Sequence, residues 1–398
     1  MYALLVRNLS HEPTPPRDRM GYGELIIRSY DAQNDRAQVE DFERRCEVGP
    51  AKRVFLFTDT LGDPICRIRN SPIYKMLVAE LDSQLVGVIQ GSIKLVTVHR
   101  PPNDLAKVGY ILGLRVAPLY RRRRIGSSLV IKLEEWFIAN DVDYAYMATE
   151  KDNEASVKLF VDKLRYAQFQ TPTILVNPVS HRRSRISSNV ELAKLKIEEA
   201  ESIYRKFMSS TQFFPVDMGN ILRNKLSLGT WAAYPRGESW GQVPSSWAML
   251  SVWNSGELFK LRLGNAPLSC MMYTKSSRFF QKLLPCFKLP GIPDFFHPFG
   301  FYFIYGVYGK GPLSGKLVRA LCQFVHNMAS SKSKDCKVIV TEVGGSDTSR
   351  LHIPHWKILS CPEDLWCIKA LKNEERDNLH ELTKGPPTRT LFVDPREV

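Results

Sequence analysis

The sequence predicts an α+β protein of two tandem units, each a mixed sheet flanked by helices, with the second unit a degenerate copy of the first. Three observations predict it. The chain has 398 residues, more than one ordinary core of roughly 100 to 200 residues holds. Its first half runs through strand-like stretches and then alternates strand, helix, strand, helix, strand, the order of a mixed sheet rather than a doubly wound one. Its second half echoes the first: Leu129, Val130 and Trp136 align with Leu317, Val318 and Phe324, and Ala148-Thr149-Glu150 aligns with Val340-Thr341-Glu342.

Taken in order, residues 1–23 combine Pro13, Pro15 and Pro16 with charges and lack an apolar period, so they read as a flexible leader. A first domain then spans 24–180. Residues 24–30 alternate as a strand, and 35–47 place Val39, Phe42 and Cys46 at helical spacing. Residues 74–81 and 85–98 read as adjacent strands joined by a hairpin-sized turn at Asp82-Ser83-Gln84. A strand at 108–117, an amphipathic helix at 125–140 and a strand at 144–149 follow. A helix at 153–164 carries Val157, Leu159, Phe160 and Leu164, and strands at 166–170 and 173–176 close the unit. A basic linker at 181–189, with Arg182, Arg183 and Arg185 among serines, leads to a second domain at 190–398 that includes a C-terminal tail. There the periodicity gives strands at 190–197, 229–234, 246–253, 301–308 and 337–343, and helices at 198–208 and 313–328.

Composition bounds the function. Hydrophobic residues make up 44% and charged residues 24%, which excludes disordered and collagen-like classes. No apolar run approaches the roughly 18 to 20 residues that cross a bilayer, and 3–6 is too short for a signal-peptide core, so a soluble intracellular protein is expected. Eight scattered cysteines with no CxxC pair argue against a disulfide framework or a zinc site. The net charge of +14 favours an anionic partner: a phosphorylated cofactor, nucleic acid or an acidic protein.

The sharpest chemistry lies at 114–128. The strand residues Leu114, Arg115 and Val116 run into Pro118, and a turn of Arg121, Arg122, Arg123 and Arg124 feeds the helix that begins Ile125-Gly126-Ser127. The first N–H groups of a helix lack intrahelical acceptors and carry the positive end of its dipole. With four guanidinium groups beside them and a glycine that admits close backbone approach, they form a site for a pyrophosphate. A solvated basic loop, or a nucleic-acid patch shared with Arg182, Arg183 and Arg185, is the competing reading of the same run.

This stretch resembles the acetyl-CoA turn of the GNAT superfamily of N-acetyltransferases. Arg121 fits the first position of the superfamily motif and Gly126 the last, whereas Arg124 stands where the motif has a glycine. The resemblance implies acetyl-CoA as co-substrate, with Leu114, Arg115 and Val116 pairing their backbone with the pantetheine arm. Asn153, Ser156, Leu159, Phe160 and Tyr166 match a second superfamily element, with Phe160 where many members keep a tyrosine acid. Asn153 and Phe160 are therefore expected at the cofactor, Phe160 as packing beside the thioester.

A closer resemblance, to the plant HOOKLESS-type N-acetyltransferases, extends over 24–398. It is carried by blocks such as Leu61-Gly62-Asp63-Pro64-Ile65-Cys66-Arg67, Ile353-Pro354-His355-Trp356-Lys357 and Phe392-Val393-Asp394-Pro395-Arg396-Glu397. This resemblance implies a role in hormone-controlled plant growth, a nuclear or cytoplasmic location with the nucleus favoured, and action on an amine acceptor such as a basic protein or chromatin.

Acyl transfer to an amine needs a base. Glu150, at the end of the 144–149 strand, is the first candidate; Glu47, Asp59 and Asp63 are the alternatives. In the second unit, the stretch from Gly309 through Pro312 and Gly315 to Lys316 resembles a phosphate loop. It lacks the Walker glycine and hydroxyl, and Pro312 has no N–H, so it is expected to bind no cofactor. His352 and His355 have no carboxylate or thiol at ligand spacing, and no metal is expected. A catalytically silent acetyl-CoA-binding regulator and a basic chromatin-binding module remain the alternatives to an enzyme.

Overall fold

The computed structural model describes residues 24–45, 55–98, 104–180, 182–241, 244–264, 295, 297–333, 335–384 and 390–398. The leader assigned to 1–23 and the candidate Glu47 lie outside these residues. Among the described residues no helix is long and apolar enough to cross a membrane.

The first sheet is built on the expected hairpin, β3 (Ile73–Leu81) and β4 (Gln84–Thr97). Asp82 and Ser83 between them both have positive φ, 51° and 61°, the two-residue turn whose twist matches a tight hairpin. β1 (Ile26–Ser29) pairs outside β3, β5 (Leu105–Val116) pairs with β4, and β6 (Tyr144–Glu150) runs parallel to β5. Helix α2 (Ile125–Ala139) connects β5 to β6 and packs Leu129, Leu133 and Phe137 on Val86, Ile89 and Ile93. On the opposite face, Val39 and Phe42 of α1 (Arg36–Arg45) join Val78, Val88 and Leu112. β4 is covered on both faces, so its residues are buried almost without a break, Gln90, Ser92 and Lys94 among them.

The second sheet has the order β8-β14-β13-β11-β10-β9. Its strands are β8 (Thr173–Pro178), β9 (Val190–Lys194), β10 (Ser227–Pro235), β11 (Trp247–Asn254), β13 (Gly300–Lys310) and β14 (Cys336–Val343). Helix α6 (Ser314–Lys332) covers one face through Leu317, Leu321 and Val325, as α2 does in the first sheet. Five α-helices and β-strands were not foreseen: α5 (Met218–Arg223), which follows α4 (Ile197–Met208), a two-stranded sheet of β2 (Phe55–Asp59) with β12 (Lys260–Gly264), and, near the C-terminus, a strand at Asp364–Ala370 and a helix at Arg376–Thr383. The helix expected at 153–164 is one α-turn, α3 (Glu154–Val157), continued by a π-helical turn over Lys158–Lys163.

The sheets exchange strands across the boundary read at 181–189. The first sheet has the order β1-β3-β4-β5-β6-β15-β7, with β15 (Asp364–Ala370) inserted between β6 and β7 (Ala167–Gln170). In return β8, assigned by sequence to the first domain, pairs with β14. The divisions 24–180 and 190–398 therefore cut through both sheets. Short apolar strands advertise that they are strands but not which edge they join, and pairing at a separation of two hundred residues is a tertiary choice. After β15, α7 (Arg376–Thr383) packs back on β7 and β15, and the last residues run between the sheets. One core joins both bodies: Tyr110, Tyr146 and Trp366 of the first sheet cluster with Trp253, Phe303 and Tyr305 of the second and with Phe392.

The two sheets share one local feature. β5 and β6 are paired only from Val108 with Tyr144 to Ile111 with Met147, and β13 and β14 only from Gly300 with Cys336 to Ile304 with Thr341. Just beyond, Gly113 and Gly306 take φ of 62° and 60°, each opposite a register shift in the neighbouring antiparallel strand. A left-handed residue without Cβ costs little there, and the bulge bends each strand away from its parallel neighbour. Each sheet is thereby forked at the same point, so the internal echo in the sequence corresponds to two copies of one fold.

Candidate active site

In the first sheet the fork opens between Leu112–Val116 of β5, still laddered to β4, and Ala148–Glu150 of β6, laddered to β15. The inner edges of the two strands face each other without a shared ladder. They can pair with an extended amide-bearing ligand. At the mouth, a 3₁₀ turn over Pro118–Tyr120 and the arginines bring the chain to the N-terminus of α2. Arg122 and Arg124 are left-handed, at 64° and 66°. The Arg124 backbone thus explains why a glycine suits this position: its conformation is one that side chains adopt at a cost of about 1–2 kcal/mol.

The candidate residues divide into those that meet at the mouth and those that do not. All four arginines are exposed; Arg121 Nε donates to Val116 O at 3.3 Å, and the Arg123 guanidinium lies 5.2 Å from the centre of the Tyr120 ring. Ser127 Oγ donates to Arg124 O at 2.7 Å, and Lys163 Nζ donates to Ser127 Oγ at 2.8 Å. Lys163 is a cation at the helix start that sequence reasoning missed, because the π-turn delivers it from 36 residues away. A Cβ on Gly126 would meet Val116, Leu159 and Leu114 at 3.6, 3.7 and 3.9 Å, so this glycine lies where β5, α2 and the π-turn converge.

Arg115 turns its side chain away from α2, toward Glu43 of α1 at 3.8 Å, and offers the fork only its backbone. Asn153 caps α3, its Oδ1 accepting from Ser156 N at 3.3 Å. Phe160 does not face the fork. It is 2% exposed, edge-on to Tyr166 at 5.2 Å in the core beneath α2, and presents no surface to a ligand in this structure. The π-turn rotates Leu159, rather than Phe160, toward Gly126.

Among the candidate bases, Asp59 accepts from Leu61 N at 3.1 Å in a turn, and Asp63 is engaged by Arg69. Glu150 ends β6, half-buried, in register with Asp364 of β15. That pairing leads to Asp364, which no sequence spacing revealed, and to Glu342, which the internal repeat sets opposite Glu150 without marking it as a site. The Trp366 indole of β15 donates to Glu342 Oε1 of β14 at 2.9 Å, joining the two sheets. Burial and the nearby Asp364 push the Glu342 carboxyl up to about 8; burial, with Glu150 adding to it, pushes Asp364 up to about 7. Groups that titrate near neutrality inside a cleft are the usual marks of acid–base work.

The Glu342 shift has a consequence for stability. Its folded value lies above the ordinary 4.5, so the unfolded chain releases this proton first and stability drains away as pH rises from about 4.5 to about 8. Glu342→Gln is therefore expected to gain stability relative to the parent between pH 5 and 8 and to gain no more above it. A gain of about 1–3 kcal/mol at pH 8 allows for the opening of this residue onto a cavity. Urea midpoints at four pH values measure it; a constant difference between the two proteins would refute it.

Beside this group, the C-terminal segment enters the core. Asp394 is fully buried and Arg396 and Glu397 nearly so. Lys94 Nζ lies 2.6 Å from Glu397 and 3.3 Å from Asp394, and the Tyr146 hydroxyl donates to Glu397. Burial pushes the Glu397 carboxyl up; Lys94 opposes it and Asp394 adds to it.

In the second fork the helix start is covered. The His352 imidazole lies 2.4 Å from where a Cβ on Gly315 would stand, over the first turn of α6. His355 Nδ1 lies 3.0 Å from Ile353 O, and among the described residues no group of three or more His, Cys, Asp or Glu is placed to hold a metal ion.

Residues 37–164 match the Acetyltransferase (GNAT) family. The chain is 48% identical over 402 residues to the Arabidopsis thaliana protein named Probable N-acetyltransferase HLS1, covering 94% of this chain and 99% of that protein. It is 34% identical over 412 residues to the Oryza sativa subsp. japonica protein named Acetyl transferase GW6a, covering 93% and 97%. A crystal structure of Saccharomyces cerevisiae N-myristoyltransferase with bound myristoyl-CoA superposes with a TM-score of 0.54 at 10% identity, covering 91% of this chain and 81% of that one, a likeness of fold. With a forked sheet, a basic helix start and this similarity over nearly its whole length, the chain belongs to the GNAT acetyltransferase family, in the branch that includes the Arabidopsis protein.

Proposed function

We propose that the protein is an acetyl-CoA-dependent N-acetyltransferase that passes the acetyl group directly to an amine. The observation that carries this is the fork between β5 and β6, closed at its mouth by the α2 N-terminus, the arginine turn and Lys163. Bound there, acetyl-CoA supplies the thioester. The backbone of Leu114, Arg115 and Val116 would hold its amide arm, and the amides of Ile125, Gly126 and Ser127 with Arg121, Arg122, Arg123 and Arg124 would hold its phosphates. The acidic group that β15 assembles, Glu150 with Asp364 and, through Trp366, Glu342, would take the amine proton. Lysine side chains of basic or chromatin proteins are the acceptor class proposed, in the nucleus and in hormone-controlled plant growth, as the resemblance to the HOOKLESS type implies.

A silent acetyl-CoA-binding regulator is the second reading, favoured by Phe160, which is buried against Tyr166 and has no hydroxyl with which to serve as the acid many members keep at this position. Calorimetry followed by transfer assays separates the two. Because His352 and Pro312 leave the second helix start poor in donors, one equivalent of acetyl-CoA per chain is expected. Two equivalents of similar affinity would refute the single-site reading, and one equivalent without transfer to any amine would favour the regulator.

A further inference from the structure

The second fork is not filled. A cavity of about 280 Å³ lies between the diverging ends of β13 and β14, reaching from Phe207 and Tyr308 to Glu342 and bounded by Ser349 and Phe392. Nothing in the first fork's chemistry requires it. Its lining differs from the cofactor mouth in one decisive way: it contains the carboxylates Glu342 and Asp347, and none of its described residues is a lysine or arginine. In a chain of net charge +14, that leaves the inner wall of the cavity without a cationic side chain of its own and with two carboxyl groups. The Ser349 Oγ at its wall is shut from solvent and has no hydrogen-bond partner among the described residues. Aromatic rings line the approach, Phe207 stacked on Tyr308 at 5.4 Å; at this outer end the ammonium groups of Lys206 and Lys310 already lie 5.4 and 5.7 Å from the centre of the Phe207 ring, so the face is one on which an alkylammonium group sits. An anion such as a CoA pyrophosphate is the wrong ligand here. The His352 ring already covers the α6 N-terminus.

The cavity also stands next to the cofactor fork. Glu342 accepts from Trp366, and Trp366 is the register partner of Ala148, on the β6 wall of the first fork. Asp364, two residues before Trp366 on β15, is the partner of Glu150 at the end of that wall. The exchanged strand thus joins the acidic end of one fork to the open edge of the other.

We propose that this cavity is the acceptor site, that it takes a primary ammonium group on an alkyl stem, and that Glu342 is the catalytic base that receives its proton. The inference rests on the acetyltransferase reading above. The ammonium gives one proton to Glu342, and the neutral nitrogen forms the C–N bond to the acetyl carbon as the C–S bond breaks. The sulfur leaves with the electron pair and takes the second N–H proton, so one proton is released to solvent when Glu342 is reset. Because Glu342 ionises only near pH 8 and Asp364 near pH 7, the rate should rise through that range.

The test uses the full chain, acetyl-CoA, and two acceptor probes, Nα-acetyl-lysine amide for a protein side chain and spermidine for a free polyamine. Glu342→Gln should bind acetyl-CoA within about twofold of the parent. Its kcat/KM for the accepted probe should fall by about 10²-fold at pH 7.5, the scale of a lost general base, and the rise between pH 7 and 8 should disappear. Glu342→Asp should restore part of the rate with a shifted profile, which a merely structural residue would not do. A Glu342→Gln protein with the parental KM and pH profile overturns the proposal. So does a parent that binds acetyl-CoA but acetylates neither probe, an outcome that leaves the cofactor site standing. A parent that binds no acetyl-CoA overturns the functional reading and this inference together.

Discussion

Replacing Arg396 with methionine is expected to destabilise the protein by about 3–5 kcal/mol, the cost of breaking a buried ion pair from one side. Its guanidinium, 4% exposed, makes bonds of 2.6 and 3.0 Å to the two Asp217 oxygens and of 2.7 to 3.2 Å to Asp394. Burial by itself would raise the Asp394 carboxyl; the charges of Arg396 and Lys94 outweigh it and hold that group well below the usual carboxylate range. Without Arg396, a fully buried carboxylate keeps, among the described residues, Lys94 at 3.3 Å and the residue 396 amide. Since Asp394 is held low, its contribution is present above about pH 4 and is lost as pH falls through its folded value. The Arg396→Met deficit should therefore shrink in acid. Asp394→Asn combined with Arg396→Met should cost less than the sum of the single changes, because the stranded charge is gone. Urea unfolding measures all three proteins. A loss under about 1 kcal/mol would show that the segment is not anchored by these charges.

Gly126→Pro is expected to weaken acetyl-CoA by about 10- to 100-fold, the value of one charge-assisted hydrogen bond. The substitution removes an N–H from the first turn of α2, where proline is otherwise tolerated, so the sheet and helix should persist. Neutralising Arg182 and Arg183, which stand outside the mouth on the linker, should change affinity by less than about threefold once salt is held constant. Gly126→Ala is the control for space: its Cβ meets neighbours at ordinary contact distances, 3.6 Å and beyond. Calorimetry at fixed ionic strength reads the affinities, with thermal unfolding to establish that each variant is folded. Equal losses from Gly126→Pro and from the linker changes would mean that net charge, rather than the helix start, recruits the cofactor.

What the sequence by itself determined is local. The hairpin at Asp82-Ser83 and the strand, arginine turn and helix from Leu114 to Ser127 were legible because each is set by neighbours within a few residues: a left-handed turn, a proline that ends a strand, apolar spacing at 3.6. The doubling of the fold was legible too, since both copies carry the same order of elements. Phe160 was misplaced for a local reason of another kind: a π-turn shifts the helix face, and no period in the sequence announces it. The roles of Lys163, Asp364, Arg396 and Glu397 belong to the tertiary structure alone, and so do the surroundings of Glu342, which the repeat could only set opposite Glu150. Glu342 meets Trp366 because β15 crosses into the first sheet, and Lys94 meets Asp394 across 300 residues because the chain's last segment threads between the sheets. A carboxylate's chemistry depends on its solvation and on the charges within a few ångströms, and for these residues both are supplied by segments that approach only once the two sheets have exchanged strands and closed over one core.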